Sequence, residues 1–138
     1  LAYAVILTHE GYPCVFWQDY YAFGLGRPGE PTGIAALVRA HEDHAGGATT
    51  VLHANDDLYI MQRGGFGSQK GLIFVLNNRG NAWNGAWVGT QWNDRAFVPV
   101  AWNGHDDRAP QEQKTQGDGW GEFSAPPRGY AVYAPLGK

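Results

Sequence analysis

The sequence predicts a mainly β protein, an antiparallel β-sandwich of Greek-key type that is preceded by a helix–strand–helix segment. Twenty Gly and eight Pro in 138 residues give frequent turns, which is typical of folds built from short strands. The hydrophobic period also changes towards two after about residue 49. Residues 72–76 are consecutive apolar positions that are too few for a typical helix and include β-branched and aromatic side chains. We expect this run to be a central strand that is covered on both faces.

Composition and charge exclude several classes of function. The formal charge is -3, with ten Lys plus Arg and no basic cluster, which argues against a nucleic-acid partner. No apolar run approaches the ~20 residues of a membrane-spanning helix, so no membrane partner is predicted. Cys14 is the single cysteine, and its apolar neighbours predict a buried, inert thiol. The chain opens at Leu1 without a signal-peptide pattern, and we interpret it as a piece of a longer protein.

The first predicted unit is residues 1–48. Residues 1–9 are apolar almost all round and predict a buried helix. The apolar run at 13–17 predicts a short strand of the parallel, doubly covered kind. A loop rich in Gly and Pro at 24–33 then precedes an amphipathic helix at 34–45. This order of helix, strand, loop and helix is typical of the end of a βα series.

The second predicted unit is residues 49–138, which contains the strands of the sandwich. Paired strands are predicted at 49–53 and 58–63, and the central strand follows them. A polar loop is predicted at 103–118. The remaining strands are predicted within residues 81–92, 97–102, 120–123 and 130–133.

Several stretches of the chain resemble α-amylases. Residues 9–19 read HEGYPCVFWQD and resemble the segment around the eighth strand of the amylase barrel. Residues 57–63 and 76–80 read DLYIMQR and LNNRG and resemble the start of the carboxyl-terminal β-sandwich of these enzymes. Residues 120–133 contain WGEF and GYAVY, which resemble the end of that sandwich. The order of the motifs matches as well, so the resemblance covers essentially the whole chain.

The resemblance implies the last βα unit of a (β/α)8 barrel followed by the C-terminal sandwich of a secreted α-amylase. The parent enzyme would hydrolyse internal α-1,4 links of starch, so the implied partner is an α-glucan. The family's catalytic residues are an Asp, a Glu and a His-Asp pair that follow the fourth, fifth and seventh barrel strands. All of them lie upstream of this chain, so none can be assigned to a position here. The resemblance implies no cofactor that this chain itself requires.

The carboxylates of the chain provide fallback candidates for catalysis. A glycosidase needs two carboxyl groups about 5–5.5 Å apart for retention, or about 6.5–9.5 Å apart for inversion, and one of them needs a raised pKa. Sequence neighbours on a strand or a helix point apart, so no adjacent pair converges by spacing alone. The alternative is that these groups lie on solvated turns and helix faces. The fallback candidates are Asp19, Glu42, Asp43, Asp106 and Asp107.

A calcium site is the better of two metal hypotheses. Asp56, Asp57 and Asn78 offer carboxylate and carbonyl oxygens, which suit a hard cation. Some α-amylases hold an additional calcium near the join of barrel and sandwich. The alternative is that these side chains cap two turns. His41 and His44 are three residues apart and have no evident third ligand, so they do not match the zinc-protease spacing.

The first sugar-binding candidates come from the resemblance. It places Trp17, Asp19, Tyr20 and Tyr21 directly after the eighth barrel strand. Barrel active sites are built at the carboxyl ends of the strands. In an intact α-amylase these four residues would therefore border the cleft that holds the glucan.

The tryptophans of the second unit give further candidates, because a pyranose ring can lie flat on an indole face. Trp83 and Trp102 lie beside Asn-Gly turns and are predicted to be exposed sugar-binding groups. Aromatic side chains on sandwich strands more often fill the core or pair across strands. We therefore predict that Trp87 and Trp120 are core residues.

Three hypotheses remain open for the function of the chain alone. It is an inactive fragment with a structural sandwich, a small α-glucan-binding module, or a compact glycosidase that builds a carboxylate pair of its own. The helix and strand of the first unit would also lack most of their barrel neighbours. A large apolar patch tends to associate, so we predict a homo-oligomer formed through residues 1–45.

Overall fold

The structure, a computed structural model, describes residues 1–26 and 32–137. These residues form a pair of helices, a six-stranded sheet and a two-stranded ribbon. The helical elements are α1 (Ala2–Thr8), a π-helical turn (Gln18–Ala22) and α2 (Ile34–His44). The strands are β1 (Thr49–Ala54), β2 (Leu58–Arg63), β3 (Leu72–Asn77), β4 (Asn84–Gly89), β5 (Ala96–Asn103), β6 (Gln113–Lys114), β7 (Trp120–Ala125) and β8 (Gly129–Pro135). The predicted antiparallel β-sandwich is confirmed.

The large sheet has the strand order β1-β2-β3-β8-β5-β6, and every neighbouring pair is antiparallel. The ribbon pairs β4 with β7. The chain therefore passes between the two layers after β3, β4, β6 and β7. The short strand β6 lies inside the segment that was expected to be a polar loop, where it pairs with the start of β5.

Strand β3 is the central strand that the sequence predicts. Its side chains alternate between two cores, as the period of two in a strand requires. Leu72 and Phe74 face the helices, whereas Ile73 and Val75 face the ribbon, and all four are fully buried. Because both faces of the sheet are covered, this strand is apolar throughout instead of alternating with polar residues.

The core between sheet and ribbon contains a row of four aromatic rings. Trp92, Phe97, Phe123 and Tyr133 meet edge to face, with centroid distances of 5.4, 5.3 and 5.2 Å along the row. This geometry is favourable because the positive edge of one ring meets the negative face of the next. The Tyr133 hydroxyl donates to the Ser124 carbonyl at 2.6 Å, so this buried hydroxyl has a partner.

The helices cover the other face of the large sheet. Leu7 of α1 and Leu37 of α2 are each 2 % exposed and belong to the same core cluster as Phe74. The buried Arg63 side chain caps the C-terminal end of α1, because its Nη1 donates to the Thr8 carbonyl at 2.9 Å. Carbonyls at a helix C-terminus lack intrahelical partners, and a cation is favourable there.

Residues 13–17 are where the structure departs from the predicted helix–strand–helix segment. They form no strand and pair with no other described strand, and a strand needs such a partner for its backbone groups. Cys14 is exposed, so the predicted buried thiol is wrong. The predicted loop at 24–33 lies partly outside the described residues. Elements before and after residue 49 share a core, and the division into units 1–48 and 49–138 stays a prediction.

Candidate functional site

The outer face of the ribbon carries two exposed tryptophans. In β4, Ala86 and Val88 pack into the sandwich and Trp87 points outward. In β7, Phe123 is fully buried and Trp120 points outward. Trp87 is 50 % exposed and Trp120 is 43 % exposed. The prediction that both indoles belong to the core is therefore wrong.

The strand register brings these two indoles close together. Trp87 pairs with Glu122, and Gly89 pairs with Trp120. The tryptophans are therefore diagonal neighbours across the ribbon, a relation that spans about 7–8 Å. A Cβ on Gly89 would lie 3.0 Å from the Cε2 atom of Trp120, so the glycine leaves the space that this indole occupies. We call Trp87 and Trp120 the tryptophan pair.

A third indole, Trp83, is held beside the ribbon by Asp106. The Nε1 of Trp83 donates to Oδ2 of Asp106 at 2.8 Å. Arg108 also donates to this carboxylate, with Nη2 at 2.7 Å from Oδ2, and its guanidinium carbon lies 5.7 Å from the centre of the Trp83 ring. Hydrogen bonds from Arg108, and a smaller contribution from Trp83, hold the pKa of Asp106 well below its usual range. Trp83, which was predicted to be exposed, is partly buried.

A cleft of about 370 Å³ lies between Trp83 and the outer face of β7. Its walls offer guanidinium, amide, carboxylate and hydroxyl groups opposite one indole. The lining residues are Trp83, Arg108, Ala109, Gln111, Gln113, Glu122 and Ser124. Glu122 also pairs with Trp87, so this ribbon cleft adjoins the tryptophan pair.

Trp102 lines a second cavity, of about 380 Å³, at the end of β5. Like Trp83, it was predicted to be exposed and is partly buried. Asn103 fixes one side of the cavity by donating from Nδ2 to the Thr32 carbonyl at 2.9 Å. Phe23, Gly24, Leu25, Thr32, Gly33, Asn103, Gly104, Asp106 and Asp107 complete the lining. The sugar-binding role predicted for Trp102 stays a prediction.

The other four predicted sugar-binding residues lie in or directly before the π-helical turn. Trp17 and Tyr21 are 67 % and 72 % exposed, whereas Tyr20 packs against the helical core. Asp19 accepts a hydrogen bond from the Tyr3 hydroxyl of α1, and this bond raises the pKa of Tyr3. None of the four lines either cavity described above, and their role in sugar binding stays a prediction.

The five fallback carboxylates are spread over different elements. Asp106 and Asp107 line one cavity, Glu42 and Asp43 are exposed on α2, and Asp19 is bonded to α1. A general acid needs a raised pKa, and the pKa of Asp106 is lowered. The ion pair with Arg108, which stabilises the charged form of Asp106, therefore disfavours this carboxyl as the acid of a glycosidase pair.

The predicted calcium ligands are partly engaged by arginines. An oxygen of Asp57 lies 3.5 Å from Nη2 of Arg79, and Asn78 Oδ1 accepts from Arg128 Nη1 at 3.1 Å. Asp56 is exposed. Across residues 1–26 and 32–137, no group of three or more His, Cys, Asp or Glu side chains is placed to hold a metal. A calcium ion at these residues stays a prediction.

Exposed apolar side chains cluster between residues 12 and 25. They are Tyr12, Phe16, Trp17, Tyr21, Phe23 and Leu25. The predicted homo-oligomer through residues 1–45 would cover them, and this association stays a prediction. No helix within the described part of the chain is long and apolar enough to cross a membrane.

Comparison with known proteins gives one family and two sequence relatives. Residues 72–134 match the family described as alpha-amylase C-terminal. The chain is 32 % identical over 141 residues to the α-amylase of Geobacillus stearothermophilus, and this alignment covers 98 % of this chain and 24 % of the relative. It is 35 % identical over 57 residues to the probable α-amylase 2 of Arabidopsis thaliana, which covers 41 % of this chain and 14 % of that protein. The chain thus spans about a quarter, or less, of the length of these relatives.

A similar fold occurs in a solved structure. The γ-CGTase of an alkalophilic Bacillus clarkii superposes with a TM-score of 0.67 at 19 % identity. The match covers 95 % of this chain and 22 % of the γ-CGTase chain. At this identity the likeness concerns the fold alone.

Proposed function

We propose that this chain is the C-terminal part of a longer α-amylase that hydrolyses internal α-1,4 links of starch. The match of residues 72–134 to the family described as alpha-amylase C-terminal, and the 32 % identity to an α-amylase over nearly the whole chain, support this proposal. The chain's own contribution is to bind the α-glucan on the outer face of the ribbon. The catalytic carboxylates of the parent enzyme lie in the part of the barrel that precedes this chain. The chain alone therefore binds starch without hydrolysing it.

The observation that carries the proposal is the exposed tryptophan pair. Half of the Trp87 surface and 43 % of the Trp120 surface face solvent, although burying such a ring is strongly favourable. Neighbouring exposed aromatic groups on a polar surface are typical of a binding site. Glu122 and Ser124 share this face, so hydrogen-bonding groups surround the indoles.

This combination suits a sugar better than an apolar ligand. A pyranose ring presents C–H groups on its faces and hydroxyl groups around its rim. The faces can stack on the indoles of Trp87 and Trp120, and the rim can reach the carboxylate of Glu122. A chain of α-linked glucose units offers several such rings in succession, which supports binding to two adjacent indoles.

The test is binding to insoluble starch and to maltoheptaose, followed by pull-down and by titration calorimetry. Trp87→Ala and Trp120→Ala should each weaken binding about tenfold, because a stacked tryptophan is a typical binding hot spot. Phe66→Ala is the matched control, since Phe66 is an aromatic residue that is 78 % exposed on the turn between β2 and β3. Equal affinity of the two tryptophan variants and the unchanged protein would contradict the proposal.

Turnover is tested separately, by reducing-sugar release from starch with the purified chain. We expect none. Release that one substitution among Asp19, Glu42, Asp43, Asp106 and Asp107 abolishes would instead favour a compact glycosidase with its own carboxylate pair. The intact mass of the protein, checked beforehand, controls for a contaminating amylase.

The homo-oligomer through residues 1–45 is part of the same proposal. It is supported by the exposure of Tyr12 at 104 % and of Trp17 and Tyr21 at 67 % and 72 %, because uncovered aromatic surface favours association. Light scattering at micromolar concentration should give a mass above that of one chain. A monomeric mass would contradict this part of the proposal and leave glucan binding untouched.

A further inference from the structure

We propose that the ribbon cleft is a second saccharide subsite, into which an α-glucan continues from the tryptophan pair, and that Asp106 is the residue that positions its walls. This inference rests on the proposed glucan binding and extends it from two indoles to a defined polar cleft.

The position of the cleft supports a continuous path for one ligand. Trp120, Glu122 and Ser124 follow one another on the outer face of β7, and alternate residues of a strand are about 6.6 Å apart. Glu122 and Ser124 line the cleft, and Glu122 is also the direct partner of Trp87. A chain that stacks on the tryptophan pair therefore meets the cleft at its next units.

The chemistry of the lining favours a neutral, polyhydroxy ligand. Gln111 and Gln113 offer both donors and acceptors, Ser124 offers a hydroxyl, and Trp83 provides one apolar wall. Small-ligand sites of this volume combine apolar walls with a few placed polar groups. An anion is disfavoured because the Arg108 charge is already paired with Asp106, and the other charged residue of the cleft lining, Glu122, is itself acidic.

Asp106 acts on the cleft through its neighbours and does not line it. One carboxylate accepts from the Trp83 indole at 2.8 Å and from Arg108 at 2.7 Å. The Arg108 backbone N–H also donates to it, at 2.9 Å. The indole wall and the guanidinium wall are therefore fixed by the same group. Charge-assisted hydrogen bonds of this kind are short and directional, which suits a positioning role.

The first experiment compares a short and a long ligand, maltotriose and maltoheptaose, by titration calorimetry. The tryptophan pair can bind the short ligand alone, whereas only the long ligand also reaches the cleft. The double variant Gln111→Ala with Gln113→Ala should leave the Kd for maltotriose unchanged and weaken maltoheptaose about tenfold, because it removes two amide partners. Gln116→Ala is the control, since Gln116 is exposed and lies outside the cleft lining.

The outcomes separate this inference from the proposed function. If the double variant binds maltoheptaose as tightly as the unchanged protein, the subsite is overturned while binding at the tryptophan pair stands. If the unchanged protein binds neither ligand, the proposed function fails and the subsite falls with it. A loss that is equal for both ligands also overturns the subsite, because it points to a general effect on the ribbon.

The positioning role of Asp106 is tested with two variants. Asp106→Ala removes the acceptor to which both Trp83 and Arg108 donate. It should abolish the advantage of maltoheptaose over maltotriose, which is the lower Kd of the longer ligand. Asp106→Asn retains an oxygen that Trp83 can donate to, and should restore part of this advantage. Thermal unfolding shows whether each variant is folded. If the ratio of the Kd values for maltotriose and maltoheptaose is the same in both variants and in the unchanged protein, the positioning role is overturned. If Asp106→Ala does not fold, the double variant Gln111→Ala with Gln113→Ala still tests the cleft.

Discussion

Replacing Asn77 by Ala should destabilise the sandwich, because this one amide joins the end of β3 to the turn between β7 and β8. Asn77 is fully buried. Its Nδ2 group lies 2.9, 3.2 and 3.1 Å from the carbonyl oxygens of Ala82, Ala125 and Pro126, which share its two hydrogens. Its Oδ1 atom accepts from the backbone N–H of Arg79 at 2.9 Å. The side chain thus satisfies backbone groups from two separate segments, the loop between β3 and β4 and the turn at the end of β7.

The magnitude follows from the groups that the truncation leaves unpaired. The bonds to Ala125 and Pro126 are buried, whereas the bond to Ala82 is partly buried. A buried acceptor without a partner costs about 1–3 kcal/mol, so the two buried carbonyls give a loss of about 3 kcal/mol in the free energy of unfolding. Unfolding entropy near 60 °C is about 2.1 cal/mol/K per residue, so this loss lowers Tm by about 10 °C for a chain of this length.

Thermal and urea unfolding, followed by tryptophan fluorescence, measure this loss. The matched control is Asn78→Ala, because Asn78 is exposed and its contact with Arg128 lies at the surface. We expect the control to change the free energy of unfolding by less than about 0.5 kcal/mol. A loss below about 1 kcal/mol for Asn77→Ala, or equal losses for the two variants, would refute the reasoning that the buried amide holds these segments together.

Further predictions concern pH and two buried polar groups. Burial lowers the pKa of His44 below its usual 6.5. The unfolded chain therefore binds more protons than the folded chain at this residue. The contribution of His44 to the free energy of unfolding is fully present above about pH 6.5 and is lost as the pH falls below that value. His44→Gln should reduce the difference in unfolding free energy between pH 8 and pH 5, and an unchanged difference would contradict this. Tyr133→Phe removes the hydrogen bond to the Ser124 carbonyl and should lower the free energy of unfolding in urea by about 1 kcal/mol. An unchanged free energy of unfolding would contradict this prediction. Arg63→Met leaves the Thr8 carbonyl without its buried donor and should cost about 2 kcal/mol, while a neutral result in the same assay would show that water replaces the guanidinium.

Strand β3 and the two helices could be predicted because their signals are local. The five apolar residues 72–76 indicate a strand with both faces covered, and the structure places cores on both sides of it. The apolar stripe of α2 likewise follows from its period. The failed strand at 13–17 has the same apolar composition, but a strand also depends on a partner, and the local sequence does not reveal one.

The error at the tryptophan pair has a different cause, and the sequence contained the signal to avoid it. Trp120 shares its strand face with Glu122, whereas Phe123 lies on the opposite face, because side chains alternate along a strand. Both aromatic residues of β7 could not be buried in the same core. In β4, the neighbouring residues Trp87 and Val88 likewise point to opposite faces of the ribbon. The charged Glu122 marks the outward face, so strand parity would have predicted an exposed Trp120.

The ribbon cleft could not be predicted from spacing, because its walls come from distant parts of the chain. Trp83 and Asp106 are separated by 23 residues, and Asp106 lies in a segment without hydrophobic periodicity. Such a polar loop has no period that fixes the direction of its side chains. Only the folded chain shows that one aspartate holds an indole and a guanidinium together.

The two edges of the six-stranded sheet limit the pairing of strands between one molecule and the next. At one edge, β1 has an irregular register between Val51 and His53. At the other edge β6 is only two residues long and pairs with Ala96 and Phe97, so β5 forms the rest of this edge, where it contains Pro99 and an irregular register between Pro99 and Ala101. An irregular or very short edge strand gives an approaching chain few backbone groups in register, which hinders the growth of sheets from one molecule to the next. We therefore expect fibril formation to require unfolding first, so that turbidity on heating rises only after the loss of tryptophan fluorescence.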